Sequence, residues 1–312
     1  MEALRDAGLE PVEQRVPGCG GANILAPLRG EQERWVVVSA HHDHLGQRGG
    51  QTFHGADDNA AAVAIMLEVA RALRRNPPKG RGVLFASFDG EEPPYFLSEG
   101  MGSEHFAHHP TVPLETVDLM ISMDLMGHAV GPEAAPPEVR QSVFALGAER
   151  SEGTGALVDR LARVEPGVVI RRMDAETVPP LSDYWGFWRR SIPFLFLTNG
   201  RWRYYHTPED TPEKLDYPKI NATARWLERL VREACARPEP QVRFLQGVRD
   251  DASTLRSIID LVSKLERLSP MAAMARGSAE QLLARCDPAG RLGDDSRTSL
   301  LMLVQRLESS LS

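Results

Sequence analysis

Histidine and acidic residues gather in five short segments that lie far apart along the chain. These are His41-His42-Asp43-His44, Asp57-Asp58, Asp89-Gly90-Glu91-Glu92, Asp124 and Tyr204-Tyr205-His206. Imidazole and carboxylate groups together are a ligand set for zinc or a similar divalent ion, not for magnesium or calcium alone. One catalytic zinc uses about three protein ligands, whereas five or more, with one bridging carboxylate, suit two ions roughly 3.5–4 Å apart. If the fold brings these segments together, they predict a two-metal site.

Two adjacent carboxylates, Glu91 and Glu92, suit two different tasks in such a site. Alone, an acidic turn is typical of a solvated surface. Beside a metal, however, adjacent carboxylates can diverge, so that Glu92 binds an ion and Glu91 accepts a proton from the activated water. The alternate spacing of His41 and Asp43 would put both on one face of an extended segment, where Asp43 could hold the second ring nitrogen of His41. Asp58 suits either metal ligation or an N-cap, and its sequence context leaves both open.

The elements that must position these residues alternate between strands and helices. Apolar, valine-rich runs predict strands at 34–42, 82–89, 117–124, 142–148 and 192–199. Helical spacing predicts helices at 58–75, 152–163, 182–189 and 217–236. This alternation predicts an α/β fold, with a mostly parallel mixed sheet flanked by helices on both faces. In such a sheet, sites form outside the carboxyl ends of the strands, where most of the acidic and histidine residues fall.

The character of the chain changes after Pro238-Glu239-Pro240. We predict a catalytic α/β domain over residues 1–240 and a helical C-terminal extension over residues 241–312. Amphipathic patterns at 255–268 and 299–311 predict helices with one apolar face. That face suits packing against the catalytic domain, and it also suits a lid or a homo-oligomer contact.

Composition narrows the functional classes. The chain has 312 residues, is 42% hydrophobic and carries a net charge of -7. Its Lys and Arg residues are scattered, which argues against a nucleic-acid partner. No apolar run approaches the ~20 residues of a membrane-spanning helix, so no membrane partner is expected. The charged N-terminus and the three separated cysteines predict reduced thiols and a cytoplasmic setting, with secretion an alternative if a signal has been removed.

Several of these segments carry a resemblance to a known family. "SAHHDHLG", "GADDNAAAV", "FASFDGEE" with "MGSEHF", "SMDLMG" and "YYHTPEDTPEKLDY" resemble, in order, the motifs of the M28 family of zinc aminopeptidases. The resemblance covers about residues 20 to 236. It implies the zinc-peptidase fold and two zinc ions per chain. The implied ligands are His41 and Asp124 on opposite ions, Asp58 as the bridge, and Glu92 and His206.

The same resemblance implies a reaction and its remaining residues. Glu91 is the implied general base, Asp43 supports His41, and Tyr205 is the implied donor to the oxyanion. His42 and His44 match no ligand position, and we predict that neither binds metal. The implied substrate is a peptide with a free N-terminus, whose first peptide bond is hydrolysed. The segment 93–100, which carries Tyr95 and two further apolar residues, is predicted to line a substrate pocket.

Two other functions share this resemblance. Glutaminyl cyclases have the same fold, hold one zinc and catalyse cyclisation, and their motifs resemble "SFDGEE" and "DLMG" here. A non-catalytic binding module on the same fold is the other alternative. The intact "AHHDH" and "GADDN" segments favour the two-zinc aminopeptidase over both.

Overall fold

The computed structural model describes residues 1–180 and 182–311. Within these residues the chain forms one eight-stranded sheet, a two-stranded hairpin and ten α-helices. The strands are β1 Val12–Val16, β2 Gly21–Leu28, β3 Gln32–His41, β4 Gln47–Arg48, β5 Gln51–Thr52, β6 Arg81–Phe88, β7 Val117–Asp124, β8 Ser142–Leu146, β9 Val169–Met173 and β10 Phe194–Thr198. The α-helices are α1 Glu2–Asp6, α2 Ala61–Arg75, α3 Gly102–His108, α4 Pro137–Arg140, α5 Thr154–Leu161, α6 Trp185–Trp188, α7 Tyr217–Cys235, α8 Asp251–Ser263, α9 Pro270–Leu283 and α10 Asp294–Leu311.

The large sheet is mixed, with a parallel centre. Its order is β1-β2-β6-β3-β7-β10-β8-β9. Strands β6, β3, β7 and β10 run parallel to one another, while β2 and β8 flank them antiparallel. Helices cover both faces, so the central strands are buried along their whole length and read as continuous apolar runs. The predicted fold class is therefore confirmed.

Strand alternation decides which face each side chain meets. Val36 and Val38 of β3 belong to the core shared with α2 and α7, and Val37 belongs to the core shared with α8 and α9. By the same period of two, His41 projects on the side of Val37. In β7, Met120 faces the α8 side and Asp124 follows it in phase. We call this side of the sheet the α8 face.

The C-terminal extension packs on the α8 face of its own chain. Leu255 and Ile258 of α8 share a buried core with Phe194 of β10. Arg297 of α10 is buried and donates to Asp174 over 3.0 Å and to Asp251 over 2.6 Å. The predicted packing of these helices against their own chain therefore agrees with the structure. A homo-oligomer contact and the exact domain boundary at residue 240 stay predictions.

Among the elements that the sequence patterns missed are three strands of the large sheet, β1, β2 and β9, and the helix α9. Strand β1 lies at the edge of the sheet and is mostly exposed, and β9 carries two arginines, so neither shows an apolar run. Pro27 interrupts the pattern of β2, which pairs with β1 and β6. The helix predicted at 182–189 is shorter, from Trp185 to Trp188, within the described residues. In the described parts of the chain, no helix is long and apolar enough to cross a membrane.

Candidate metal centre

The predicted ligands come from the carboxyl edge of the parallel strands and from two adjoining loops. His41 ends β3, Asp124 ends β7, and Glu92 lies in the turn that follows β6. Asp58 lies in the irregular turn Ala56–Ala60 just before α2, and His206 lies in the loop between β10 and α7. The structure brings all five together, four of them buried and His206 partly exposed.

One group of ligand atoms consists of His41, Asp58 and Asp124. The His41 Nε2 atom lies 3.5 Å from Asp58 Oδ1 and 3.4 Å from Asp124 Oδ1. One ligand atom from each residue lies within 4.8 Å of the others, and all three residues are buried. An imidazole and two carboxylates at this separation can hold one divalent ion.

A second group forms around the other oxygen of Asp58. The His206 Nε2 atom lies 3.2 Å from Asp58 Oδ2 and 3.1 Å from Glu92 Oε2. His44 Nδ1 lies 2.8 Å from Glu92 Oε1 and 3.9 Å from Asp58 Oδ2, so that His44, Asp58 and Glu92 also converge within 4.8 Å. Asp58 therefore belongs to both groups, with one oxygen directed towards each.

His44 lies closer to the ligands than the sequence predicted. It matches no ligand position in the family motifs, and the extended strand β3 ends at His41. Beyond that point the chain turns, and His44 reaches Glu92, whereas His42 faces the Ser87 hydroxyl at 3.0 Å. The signal that could have found it is the proximity of a second imidazole, three residues after His41.

The electrostatics of the centre fit divalent cations. Burial raises the pKa of Asp58 to about 6 and, despite His41, raises the pKa of Glu91 well above its usual range. Burial lowers the pKa of His206, but hydrogen bonds to Asp58 and Glu92 outweigh it and raise that pKa to about 9. So many buried carboxylates are unfavourable unless cations neutralise them. No lysine or arginine is paired with these carboxylates in the described residues, which leaves a place for metal ions.

Asp43 contacts His41, as predicted, and also holds the turn that carries both glutamates. Its carboxylate accepts the backbone N–H of Glu91 over 3.2 Å and that of Glu92 over 3.0 Å. Its backbone carbonyl oxygen, 3.2 Å from His41 Nδ1, lies nearer to that ring than its carboxylate oxygen at 3.6 Å. Asp43 thus fixes the turn that carries both glutamates as well as the orientation of His41.

Two further aspartates hold the Asp58 turn, a role that no sequence pattern predicted for them. Asp210 accepts the backbone N–H groups of Asp57 and Asp58 over 2.9 and 3.1 Å. Asp57 accepts the N–H of His128 over 3.0 Å, and its second oxygen faces the Nδ1 atom of that ring at 2.8 Å. Neither Asp57 nor Asp58 caps α2 through its side chain. Asp210 lies within the "HTPEDT" segment, where only His206 had been assigned a task.

Three other residues complete the surroundings of the centre. The Tyr205 ring stacks on the His206 ring with centroids 3.8 Å apart, and burial raises the Tyr205 pKa. Asp183 is buried, which raises its pKa to about 7, and its charge helps raise the pKa of Glu91. Leu125, next to Asp124, and His206 both have left-handed backbones, with φ of 57° and 55°. Non-glycine residues rarely adopt this conformation, and those that do are often found at functional sites.

The sequence of this chain also matches a known protein family. The model of peptidase family M28 matches residues 23–231. The chain belongs to peptidase family M28. Residues 232–312, which include α8 to α10, lie outside the match, whereas all five proposed metal ligands lie within it.

The M28 chain is similar to proteins with different names. It is 29% identical over 241 residues to the uncharacterized protein YfbL of Escherichia coli (strain K12), covering 70% of this chain and 73% of YfbL. It is 30% identical over 253 residues to the glutaminyl-peptide cyclotransferase of Boiga irregularis, covering 68% of this chain and 65% of that protein. Its fold resembles that of a Zn-dependent exopeptidase from Parabacteroides distasonis, with a TM-score of 0.57, 21% identity and coverage of 74% and 86%.

Proposed function

We propose that this M28 protein is a two-zinc aminopeptidase that hydrolyses the first peptide bond of a substrate with a free N-terminus. The observation that carries the proposal is the position of Asp58, whose two carboxylate oxygens face two separate groups of ligands. A carboxylate shared in this way can bridge two ions roughly 3.5–4 Å apart. The similarity to a Zn-dependent exopeptidase supports zinc as the metal.

The ligands divide between two ions. His41, Asp124 and one oxygen of Asp58 would hold the first, and Glu92, His206 and the other oxygen of Asp58 would hold the second. Bound zinc would supply Lewis-acid polarisation of the scissile carbonyl and lower the pKa of a water molecule to about 7. His44 lies beside the second group and either adds an imidazole ligand or orients Glu92.

Glu91 is the residue proposed to move the proton. Its Oε2 atom lies 3.8 Å from His41 Nε2, so the carboxylate faces the first group without being needed to complete it. Bound cations would stabilise its charged form, which burial disfavours. The carboxylate would then take a proton from the attacking water and deliver it to the leaving amine. Asp43 positions Glu91 through its backbone N–H, and Tyr205 is the proposed hydrogen-bond donor to the oxyanion.

A cyclotransferase is the second candidate, because the chain is 30% identical to one from Boiga irregularis. That function would require a substrate with N-terminal glutamine and would need only one zinc ion. The two candidates therefore differ in metal count and in product.

One experiment separates them. The purified protein is assayed on a panel of aminoacyl anilides, short peptides and glutaminyl peptides, with added zinc and with chelator, while bound metal is counted by mass spectrometry. The aminopeptidase proposal expects release of the N-terminal residue, loss of that activity with chelator, and two ions per chain. Cyclisation of glutaminyl peptides with one ion per chain would establish the second candidate instead.

A further inference from the structure

Three histidines that the metal centre does not use lie together at the end of α3. His105, His108 and His109 line an open cleft of about 430 Å³ at the protein surface. Pro17 and Gly18, from the turn between β1 and β2, line the same cleft. None of its lining residues is a proposed ligand of the metal centre. The cleft therefore holds a separate cluster of imidazole groups.

His105 and His109 form a pair at helical spacing. Residues four apart share one face of a helix, and the ring centroids of these two histidines lie 4.8 Å apart. His109 follows the last residue of α3, but its backbone N–H still donates to the His105 carbonyl oxygen over 2.9 Å. Next to His105, Phe106 is fully buried and packs against Phe88 and Phe187. The core thus fixes the helix that carries the pair.

The edge strand β1 holds both histidines from the outside. Gln14 Nε2 donates to the carbonyl oxygen of His109 over 2.6 Å. The His105 ring hydrogen-bonds to the backbone of Arg15. Histidines that bind metal usually engage their second ring nitrogen in this way, because the hydrogen bond orients the ring. His105 is therefore oriented as a metal-binding histidine would be.

The cluster also keeps its imidazoles neutral. Burial lowers the pKa of His105, and the neighbouring His109 and His108 lower it further. A neutral imidazole carries a free electron pair on one ring nitrogen, and that is the form that binds metal ions. At neutral pH the pair can therefore accept an ion without first losing a proton.

The type of ligand indicates the type of metal. Two histidines four apart on one helix face are the arrangement with which the H-E-x-x-H motif binds zinc. Imidazole nitrogens suit copper, nickel and zinc, and among these divalent ions affinity is highest for Cu²⁺. The pair at the end of α3 differs in this respect from the carboxylate-rich metal centre, where zinc is the proposed metal.

The cleft is linked to the turn that carries the two glutamates. Glu99 and Gly100 line it, and they end the segment 93–100, which begins directly after Glu92. The backbone N–H of Gly102, the first residue of α3, donates to the carbonyl oxygen of Asp89 over 2.7 Å. An ion bound at the far end of α3 would therefore stabilise a helix that is attached to this turn.

We propose that His105 and His109 form a separate metal site that chelates one transition-metal ion per chain and binds Cu²⁺ more tightly than Zn²⁺. The two imidazoles supply the protein ligands, and water takes the remaining positions. The bound ion stabilises the end of α3 and takes no part in the hydrolysis proposed above.

The test uses the full chain, without an added histidine tag and with its metal centre loaded with zinc. Cu²⁺ is titrated in competition with a chromogenic chelator while released zinc is measured, so that copper that displaces zinc is counted separately. Electron paramagnetic resonance reports how many imidazole nitrogens bind the copper. The variants are His105→Gln and His109→Gln, and the matched control is His54→Gln, an exposed histidine that does not line the cleft.

We expect one copper ion per chain to bind without release of zinc and with two imidazole nitrogens as ligands. His105→Gln and His109→Gln should each weaken this binding about tenfold or more, because one imidazole replaces a linked pair, whereas His54→Gln should stay within about twofold. Zn²⁺ added beyond the loaded metal centre should compete with this copper only weakly. Copper should also raise the unfolding temperature of the unmodified protein but not that of His109→Gln.

Unfolding temperatures without copper show whether each variant is folded. His109 is exposed, so His109→Gln decides the test if His105→Gln proves unstable. Copper that binds only by displacing zinc, or unchanged copper affinity in folded His109→Gln, would overturn the separate site. Neither result would bear on the aminopeptidase function, which is measured by hydrolysis of the zinc-loaded protein.

Discussion

The carboxylate of Asp43 accepts the backbone N–H of Glu92 over 3.0 Å. Its other oxygen accepts the N–H of Glu91 over 3.2 Å, so one half-buried side chain holds the turn between the proposed ligand and the proposed base. We expect Asp43→Ala to lower zinc affinity and turnover by about 10- to 100-fold, because residues that orient metal ligands have effects of this size. Zinc titration and anilide hydrolysis measure both, with Glu13→Gln at the exposed edge strand as the control. Normal zinc affinity in Asp43→Ala would contradict the positioning role.

Glu91 and Glu92 are adjacent in sequence but should respond differently to the loss of charge. Glu91→Gln should leave the bound metal unchanged while turnover falls about 10²-fold or more, as expected for loss of a general base. Glu92→Gln should instead lose one ion, since Glu92 lies 3.1 Å from His206 in the second group. Counting the bound metal ions and measuring the turnover of each variant tests these two roles. Near-normal hydrolysis by Glu91→Gln would remove Glu91 from the mechanism.

The shared position of Asp58 predicts a difference in metal stoichiometry. Removing it as Asp58→Ala takes an oxygen from each group, and we expect both ions to be lost. His206→Ala removes a ligand from the second group only and should leave the first ion in place. Native mass spectrometry of the two variants distinguishes these outcomes. Retention of two ions by Asp58→Ala would show that this carboxylate does not bridge.

His44 and His42 provide a matched pair within one segment. His44→Gln should weaken binding of the second ion about tenfold, because His44 Nδ1 lies 2.8 Å from Glu92 Oε1. His42→Gln should bind zinc as the unmodified protein does, because its ring faces Ser87 instead. Competition titrations with a chromogenic chelator measure the two affinities. Equal losses in both variants would indicate a general effect of the segment and not a role for His44.

Glu149 predicts a pH dependence of stability that arises away from the metal centre. Burial raises its pKa from 4.5 to about 8, with the charge of Asp174 adding to the effect. The folded protein therefore holds a proton that the unfolded chain has lost, and this group's stabilisation is full below pH 4.5 and declines as the pH rises towards 8. One such proton contributes a slope of about 1.4 kcal/mol per pH unit.

Glu149→Gln should remove that slope, because the amide stays neutral and keeps an acceptor for the N–H of Ala175, now 2.9 Å from the carboxylate. The variant should therefore gain stability relative to the unmodified protein as the pH rises from 4.5 to 8. Denaturant unfolding at several pH values in that range measures the difference. A stability difference that does not change with pH would contradict the raised pKa.

The sequence alone predicted the site residues that lie at the ends of strands. His41 and Asp124 close apolar runs that read as buried strands, and their family motifs place them in order. It did not predict the residues whose roles depend on contacts between distant segments of the chain. The carboxylate of Asp210 reaches the Asp58 backbone from 152 residues away, and no local pattern reports that.

Two other misses have local causes. His44 was given no role because it matches no ligand position in the family motifs, and the turn that brings it to Glu92 begins only after the last residue of β3. Strands β1 and β9 were overlooked because their exposed or arginine-bearing residues replace the apolar run that marks a buried strand.

The buried Arg297 bears on how this protein can be shortened. Its guanidinium, on the last helix, neutralises Asp174 at the end of β9, and both side chains are shielded from water. A chain truncated after residue 231 would leave the buried Asp174 carboxylate without its cation and would expose the Phe194 side of the sheet to water. Expression trials that trim the chain to the matched residues should therefore yield insoluble material, so residues 232–312 are integral to the folded body and not a dispensable tail.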